Sequence, residues 1–168
     1  MQIYVVAGKG YGKTNLSAFD AALKDAGIHN YNLVYLSSII PPNSTIIKKK
    51  NHETPEDEFG HRLYVVKAEI RSSETGKAIA AGLGWYQDKK DGRGVFVEHC
   101  TKSGTVKTAK EDLEDKITKS LKDLCDFRGF SCKESDFKMS VSACKIRSKP
   151  ACVLVAAVYT SEKWPAEN

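Results

Sequence analysis

Apolar residues recur along this chain with two different periods, and the periods divide it into strands and helices. Residues 3–7 form a short apolar run and read as a buried strand. Gly8, Gly10 and Gly12 follow and read as a flexible loop. Thr14 or Asn15 then offers an N-cap for a helix running to about Ala26, where Gly27 ends it. Residues 32–36 read as a second strand, and Pro41 and Pro42 break regular pairing after it. Residues 48–60 are polar, carry Pro55 and read as a long surface loop, with residues 63–70 a strand beyond it. Residues 75–83 are small and apolar, which suits a short helix packed on a sheet, with an Ala-Gly-rich strand as the competing assignment. Residues 82–86 and 95–100 read as strands around a charged turn at 88–94.

The clearest periodicity lies at 105–127. Leu113, Ile117, Leu121 and Leu124 recur at helical spacing against a face of Lys, Asp and Glu, and Gly129 terminates the helix. Residues 137–146 and 151–159 read as strands around a turn at Pro150, and the tail from Ser161 is expected to fray. The order is that of an α/β sandwich.

Composition narrows the class. The 168 residues suit one domain with a sizeable core. No apolar run reaches membrane-spanning length and no leader precedes the first strand, so a cytoplasmic location is expected, with no membrane partner. Five scattered cysteines, without a Cys-x-x-Cys pair, argue against a disulfide framework or a structural zinc, and no metal site is expected. The net charge is +5, but the tight basic run Lys48-Lys49-Lys50 has no interleaved aromatics, so it reads as a solvated loop rather than a nucleic-acid surface.

Two motifs carry candidate chemistry. Ala7 to Thr14, ending in Gly12-Lys13-Thr14, has the spacing of a phosphate-binding loop between a strand and a helix, with Ala in place of its first glycine. The second is Leu36-Ser37-Ser38-Ile39-Ile40-Pro41-Pro42. Attack by the Ser38 hydroxyl on the Ser37 carbonyl shifts the chain from amide to ester. Elimination across Ser38 and hydrolysis then leave a pyruvoyl group, a ketone able to form a Schiff base with an amine.

The second motif does not stand alone. Ala18-Phe19-Asp20-Ala21-Ala22-Leu23, Asn32-Leu33, the Ser-Ser-Ile-Ile-Pro-Pro run, Glu74-Thr75-Gly76-Lys77 and Val95-Phe96-Val97-Glu98 follow in one order. In that order and spacing the chain resembles the pyruvoyl-dependent arginine decarboxylases over nearly its whole length. The resemblance implies a four-layer α-β-β-α sandwich from a duplicated strand-helix-strand-strand motif. It implies a single domain, 1–168, that cleaves itself into a β-chain, 1–37, and an α-chain, 38–168. The pyruvoyl cofactor would derive from Ser38, with Ser37 and Asn32 assisting cleavage.

By the same resemblance Glu98 is the catalytic acid and Asp20 receives the substrate guanidinium. Leu16, Leu23 and Ile39 line the substrate's apolar stem. L-Arginine becomes agmatine and carbon dioxide in a homo-oligomer, a trimer or dimer of trimers, with sites between protomers. Ornithine or lysine is the alternative substrate, and a nucleotide-binding loop at Gly12-Lys13-Thr14 the alternative function. Read on their own residues, Glu98 is equally an edge residue facing water, and Asp20 a surface carboxylate beside Lys24.

Overall fold

The computed structural model describes residues 1–165. Its strands are β1 (Gln2–Tyr11), β2 (Asn32–Tyr35), β3 (Ile39–Ile40), β4 (Thr45–Lys48), β5 (Arg62–Ser72), β6 (Ala78–Gln87), β7 (Gly94–Ser103), β8 (Lys138–Lys145) and β9 (Ala151–Glu162). Two α-helices, α1 (Asn15–Ala26) and α2 (Val106–Asp126), complete the frame. The first sheet runs β2-β5-β9-β1-β4 and the second β3-β7-β6-β8.

Three apolar clusters stack the layers. One joins α1 to the first sheet through Ala18, Ala22, Ala26, Val65, Leu154 and Ala156. A second fills the space between the sheets with Val66, Leu83, Trp85, Phe96, Val153 and Val155. The third joins the second sheet to α2 through Val95, Val97, Leu113, Ile117 and Leu121. The result is an α-β-β-α sandwich. Strand-helix-strand order occurs twice, as β1-α1-β2 and β7-α2-β8, but β9 then crosses to the first sheet and pairs with both β5 and β1.

The central position of β9 explains its sequence. Cys152, Leu154, Ala156 and Val158 face α1, while Ala151, Val153, Val155 and Ala157 face the second sheet. A strand covered on both faces loses polar alternation and reads as one apolar run. β6 is the same case in the second sheet, buried from Ala78 to Tyr86. A helix over residues 75–83 is therefore overturned, and the Ala-Gly-rich strand is what forms. Gly82 and Gly84 work there because a Cβ at either would press on Leu113, Ile117 or Leu121 of α2.

Gly8 and Gly10 are likewise strand, not loop. They pair with Leu154 and Cys152. A Cβ at either would strike the backbone of α1 at Ala22. The glycines let helix and strand meet backbone to backbone.

Residues 48–60 are tied down rather than free on the surface. His52 N–H donates to Ala26 O (2.8 Å), Thr54 Oγ1 to Gly27 O (2.7 Å) and Tyr31 Oη to Glu58 Oε2 (2.5 Å). Residues 161, 162 and 164 are also held where fraying was expected, and residues 166–168 of that tail lie outside the described residues. Ser161 and Glu162 pair with Leu63 and Arg62, and Trp164 Nε1 donates to Gly60 O at 3.0 Å.

Candidate active site

The Ser37–Ser38 peptide is the crossing point between the two sheets. β2 is the edge of the first sheet and β3 the edge of the second. Leu36 N–H still donates to Val65 O in the first sheet (2.9 Å), whereas Ser38 O already accepts from Phe96 N–H in the second (2.8 Å). Two residues must turn the chain between layers, and Ser38 takes a left-handed conformation, φ +63°, to do so. For a side chain other than glycine this costs on the order of 1–3 kcal/mol. Ser37 is exposed and Ser38 half-buried.

The Ser38 hydroxyl donates to Glu98 Oε1. Alternation along β7 explains why Glu98 is there. Phe96 lies in the inter-sheet core and Val95 and Val97 under α2, so Glu98 turns inward beside Phe96. His99 turns the other way, with Nε2 2.7 Å from Ser120 Oγ on α2. Burial, then the nearby Lys116, lowers its pKa. The two adjacent residues thus serve different faces, as strand geometry requires.

Tyr159 was not singled out by sequence reasoning, yet it adjoins the same site. Its hydroxyl donates to Ile39 O at 2.9 Å. Burial first, then the Glu98 charge, raises its pKa above the tyrosine range. The only sequence signal was a polar tip at the end of the long apolar run of β9, and nothing there pointed to Ile39.

Within one protomer the remaining predicted residues lie elsewhere. Leu16, Asp20 and Leu23 share a stripe of α1 at positions i, i+4 and i+7. Leu16 is 69% exposed and Asp20 exposed, whereas Leu23 is buried in the α1 cluster. α1 covers the outer face of the first sheet, while Glu98 lies beyond its inner face. Among the described residues Asp20 has no ion-paired partner, Lys24 included. Ile39 adjoins Ser38 and is half-exposed.

Asn32 is the clearest departure. It starts β2, and its Nδ2 donates to Gly60 O at 2.7 Å. It stands six positions before Ser38, and an extended chain rises about 3.3 Å per residue. The structure does not bring its amide to its own Ser37 carbonyl.

The phosphate-loop alternative is overturned by the same structure. Gly8 and Gly10 are strand residues and Gly12 follows the strand, and all three lie against α1. Thr14 is the N-cap of α1, accepting from Ser17 N–H at 3.1 Å, and Glu98 accepts from the Ser38 hydroxyl. The basic run does not act as a unit either. Lys48 Nζ reaches Met139 O (2.6 Å), while Lys49 lies over the Tyr4 ring.

Among the described residues no three His, Cys, Asp or Glu side chains gather as a metal site. Among the described residues no helix is long and apolar enough to cross a membrane. All five cysteines are free, and burial pushes the Cys152 thiol up to about 12.

A sequence model of the family described as Pyruvoyl-dependent arginine decarboxylase matches residues 2–164. Curated proteins named pyruvoyl-dependent arginine decarboxylase are similar over nearly their whole length. One from Halobacterium salinarum is 31% identical over 164 residues, 96% of each chain. One from Thermococcus kodakarensis is 34% identical over 158 residues, 92% of each chain. One from Pyrococcus horikoshii is 33% identical over 154 residues, 92% of this chain and 91% of its own. A serine hydroxyl held on a glutamate where the chain crosses between two sheets is thus the candidate centre of a protein that belongs to the pyruvoyl-dependent arginine decarboxylase family.

Proposed function

We propose that this chain is a self-processing pyruvoyl-dependent arginine decarboxylase that converts L-arginine to agmatine and carbon dioxide. The observation that carries the reading is Ser38, held left-handed with its hydroxyl on Glu98. Ser38 Oγ attacks the Ser37 carbonyl carbon, and Glu98 accepts the hydroxyl proton. The Ser37–Ser38 C–N bond breaks as the nitrogen takes up a proton in exchange for the one lost from the hydroxyl, leaving an ester and a free amine on Ser38. Loss of the Ser38 α-proton expels the Ser37 carboxylate as the end of chain 1–37. Water then replaces ammonia on the dehydrated residue, and chain 38–168 begins with a pyruvoyl group.

The residues present fit that group. A pyruvoyl has no N–Cα bond, so the strained φ of Ser38 disappears when it forms. The carbonyl of residue 38 already holds the Phe96 N–H. When formed, the pyruvoyl supplies an electrophilic ketone for the substrate amine and a sink for the electrons released with carbon dioxide. Glu98 moves the proton: it takes one from Ser38 during maturation and delivers one to the substrate α-carbon during turnover. Asp20 offers a carboxylate fork to the guanidinium, and Leu16 and Ile39 offer apolar contact to its stem.

α1 and β7 stand two layers apart, roughly 20 Å by usual layer spacings, farther than one arginine reaches. A neighbouring protomer therefore presents Asp20 to Ser38, in a homo-oligomer, a trimer or its dimer. Leu16, Tyr35 and Ile39, all exposed in one protomer, are apolar surface suited to that contact. Five free thiols suit a reducing cytoplasm.

The test is a denaturing intact-mass spectrum, followed by carbon dioxide release from arginine, ornithine and lysine. Two species are expected, 1–37 and 38–168, the second lighter by one ammonia than the same chain starting with serine. A single uncleaved chain, or cleaved protein that prefers ornithine or lysine, overturns the reading.

A further inference from the structure

Tyr159 lies against the reacting residues but has no part in the chemistry above. Its position comes from a break in strand register. Val65 faces Val158 and Tyr64 faces Thr160, so Tyr159 is left without a partner on β5. A bulge of this kind inserts one extra residue and re-aims side chains near functional sites. Here the ring enters the space between the sheets, edge-on to Phe96 with centroids 6.3 Å apart. The hydroxyl ends on Ile39 O, one residue beyond Ser38.

Ser38 is thus followed by two anchored carbonyls. Its own holds Phe96 N–H at 2.8 Å and the next holds the Tyr159 hydroxyl at 2.9 Å. A left-handed serine persists only where its surroundings over-determine it. On its N-terminal side Ser37 is exposed, and the last sheet bond is at Leu36. The constraint therefore comes from the C-terminal side, where Tyr159 adds a side-chain anchor to the pairing of Ile39 and Ile40 with Val95 and Gly94 of β7.

We propose that Tyr159 is a positioning residue for self-cleavage: by fixing the Ile39 carbonyl, its hydroxyl keeps Ser38 in the left-handed conformation in which the serine hydroxyl meets Glu98. The proposal rests on the reading that Ser38 cleaves the chain. After cleavage residue 38 becomes a chain end, and the same two bonds hold it beside Glu98 instead of letting it fray.

The experiment follows cleavage of newly synthesised full-length chain by timed intact mass. Parent protein, Tyr159→Phe, and protein with a polyfluorinated tyrosine at 159 are compared. Phenylalanine keeps the ring contact with Phe96 and removes only the donor, so cleavage is expected to slow about tenfold. The fluorinated phenol ionises at lower pH and then ceases to donate. Its cleavage rate is expected to match the parent's at low pH and to fall as pH rises through that ionisation, where the parent stays level. A purely structural ring would not give that profile, and it decides the matter even if Tyr159→Phe fails to fold. Parent-like rates in Tyr159→Phe, or a fluorinated protein with the parent's pH profile, overturn the role of Tyr159 while leaving self-cleavage intact. A parent chain that does not cleave overturns the underlying reading instead.

Discussion

At Ser38 one residue carries both backbone strain and the nucleophile, and substitutions separate the two. Ser38→Ala removes the hydroxyl but keeps a Cβ in the left-handed region. Ser38→Gly removes both, and glycine adopts positive φ without steric cost. Both variants are expected as single uncleaved chains by mass. The glycine variant should be more stable than the alanine variant by about 1 kcal/mol in urea unfolding. Equal stabilities would mean that φ +63° is not strained in the folded chain. Ser38 and Glu98 were legible in the sequence because the Ser-Ser-Ile-Ile-Pro-Pro and Val-Phe-Val-Glu runs are local. Their hydrogen bond spans 60 positions and was not legible: the family resemblance gave each residue a role but not this contact. Tyr159 was hidden for a different reason. Its role depends on a register break between β5 and β9, which no local pattern in either strand announces.

At the scale of elements, the sequence misled where a residue type suits two structures. Gly8 and Gly10 resemble a loop until α1 is placed on them, and Ala78 to Leu83 resemble a helix until α2 covers the strand. Close packing is a pairwise property, so one segment cannot display it. Gly10→Ala is expected to destabilise by about 3 kcal/mol, because the added methyl meets helix backbone and not a side chain that can turn away. Chemical denaturation checks this, and a loss below 1 kcal/mol would mean that α1 shifts readily.

A charged group beneath α1 adds to its alanine and glycine contacts in fixing its rotation. Lys67 and Arg71 both pair with Glu69 on β5, with the Lys67 side chain 5% exposed. Phe19 lies under both cations, 4.8 Å from Lys67 Nζ and 3.7 Å from Arg71 Cζ. This contact turns Leu16 and Asp20 outward. Burial pushes the Glu69 pKa up, but Arg71 and Lys67 outweigh it and the net direction is down. A lowered carboxylate stabilises the fold fully above its unfolded pKa, about 4.3, and that stability is lost as pH falls through the lower folded value. Glu69→Gln strands a nearly buried lysine and is expected to cost about 3 kcal/mol at neutral pH. In denaturation from pH 7 downward, the gap between variant and parent should close in the acid range. A constant gap would show that Glu69 acts by packing alone.

The whole molecule holds the proposed site as two halves separated by the first sheet. Ser38, Glu98 and Tyr159 belong to one, and Asp20 and Leu16 on α1 to the other. If neighbouring protomers join the halves, two inactive variants should rescue each other. Asp20→Ala keeps Ser38 and Glu98 and is expected to cleave normally while binding arginine poorly. Glu98→Gln keeps Asp20 but cannot move the proton, and turnover should fall at least about a hundredfold. In an oligomer built randomly from equal amounts of the two, about a quarter of the sites combine an intact Glu98 with an intact neighbouring Asp20. Those sites need only the Ser38 of the Asp20→Ala chain to be processed, so slow cleavage in the other chain does not matter. Co-expressed, differently tagged variants, purified through both tags to remove the unmixed oligomers, should therefore regain about a quarter to a third of parent activity on arginine, a third being the value for a mixed trimer. Each variant alone should stay inactive at the same concentration. Absence of rescue, with mixed oligomers confirmed by mass, would place Asp20 and Ser38 of one chain in one site and would require α1 to move from where it packs.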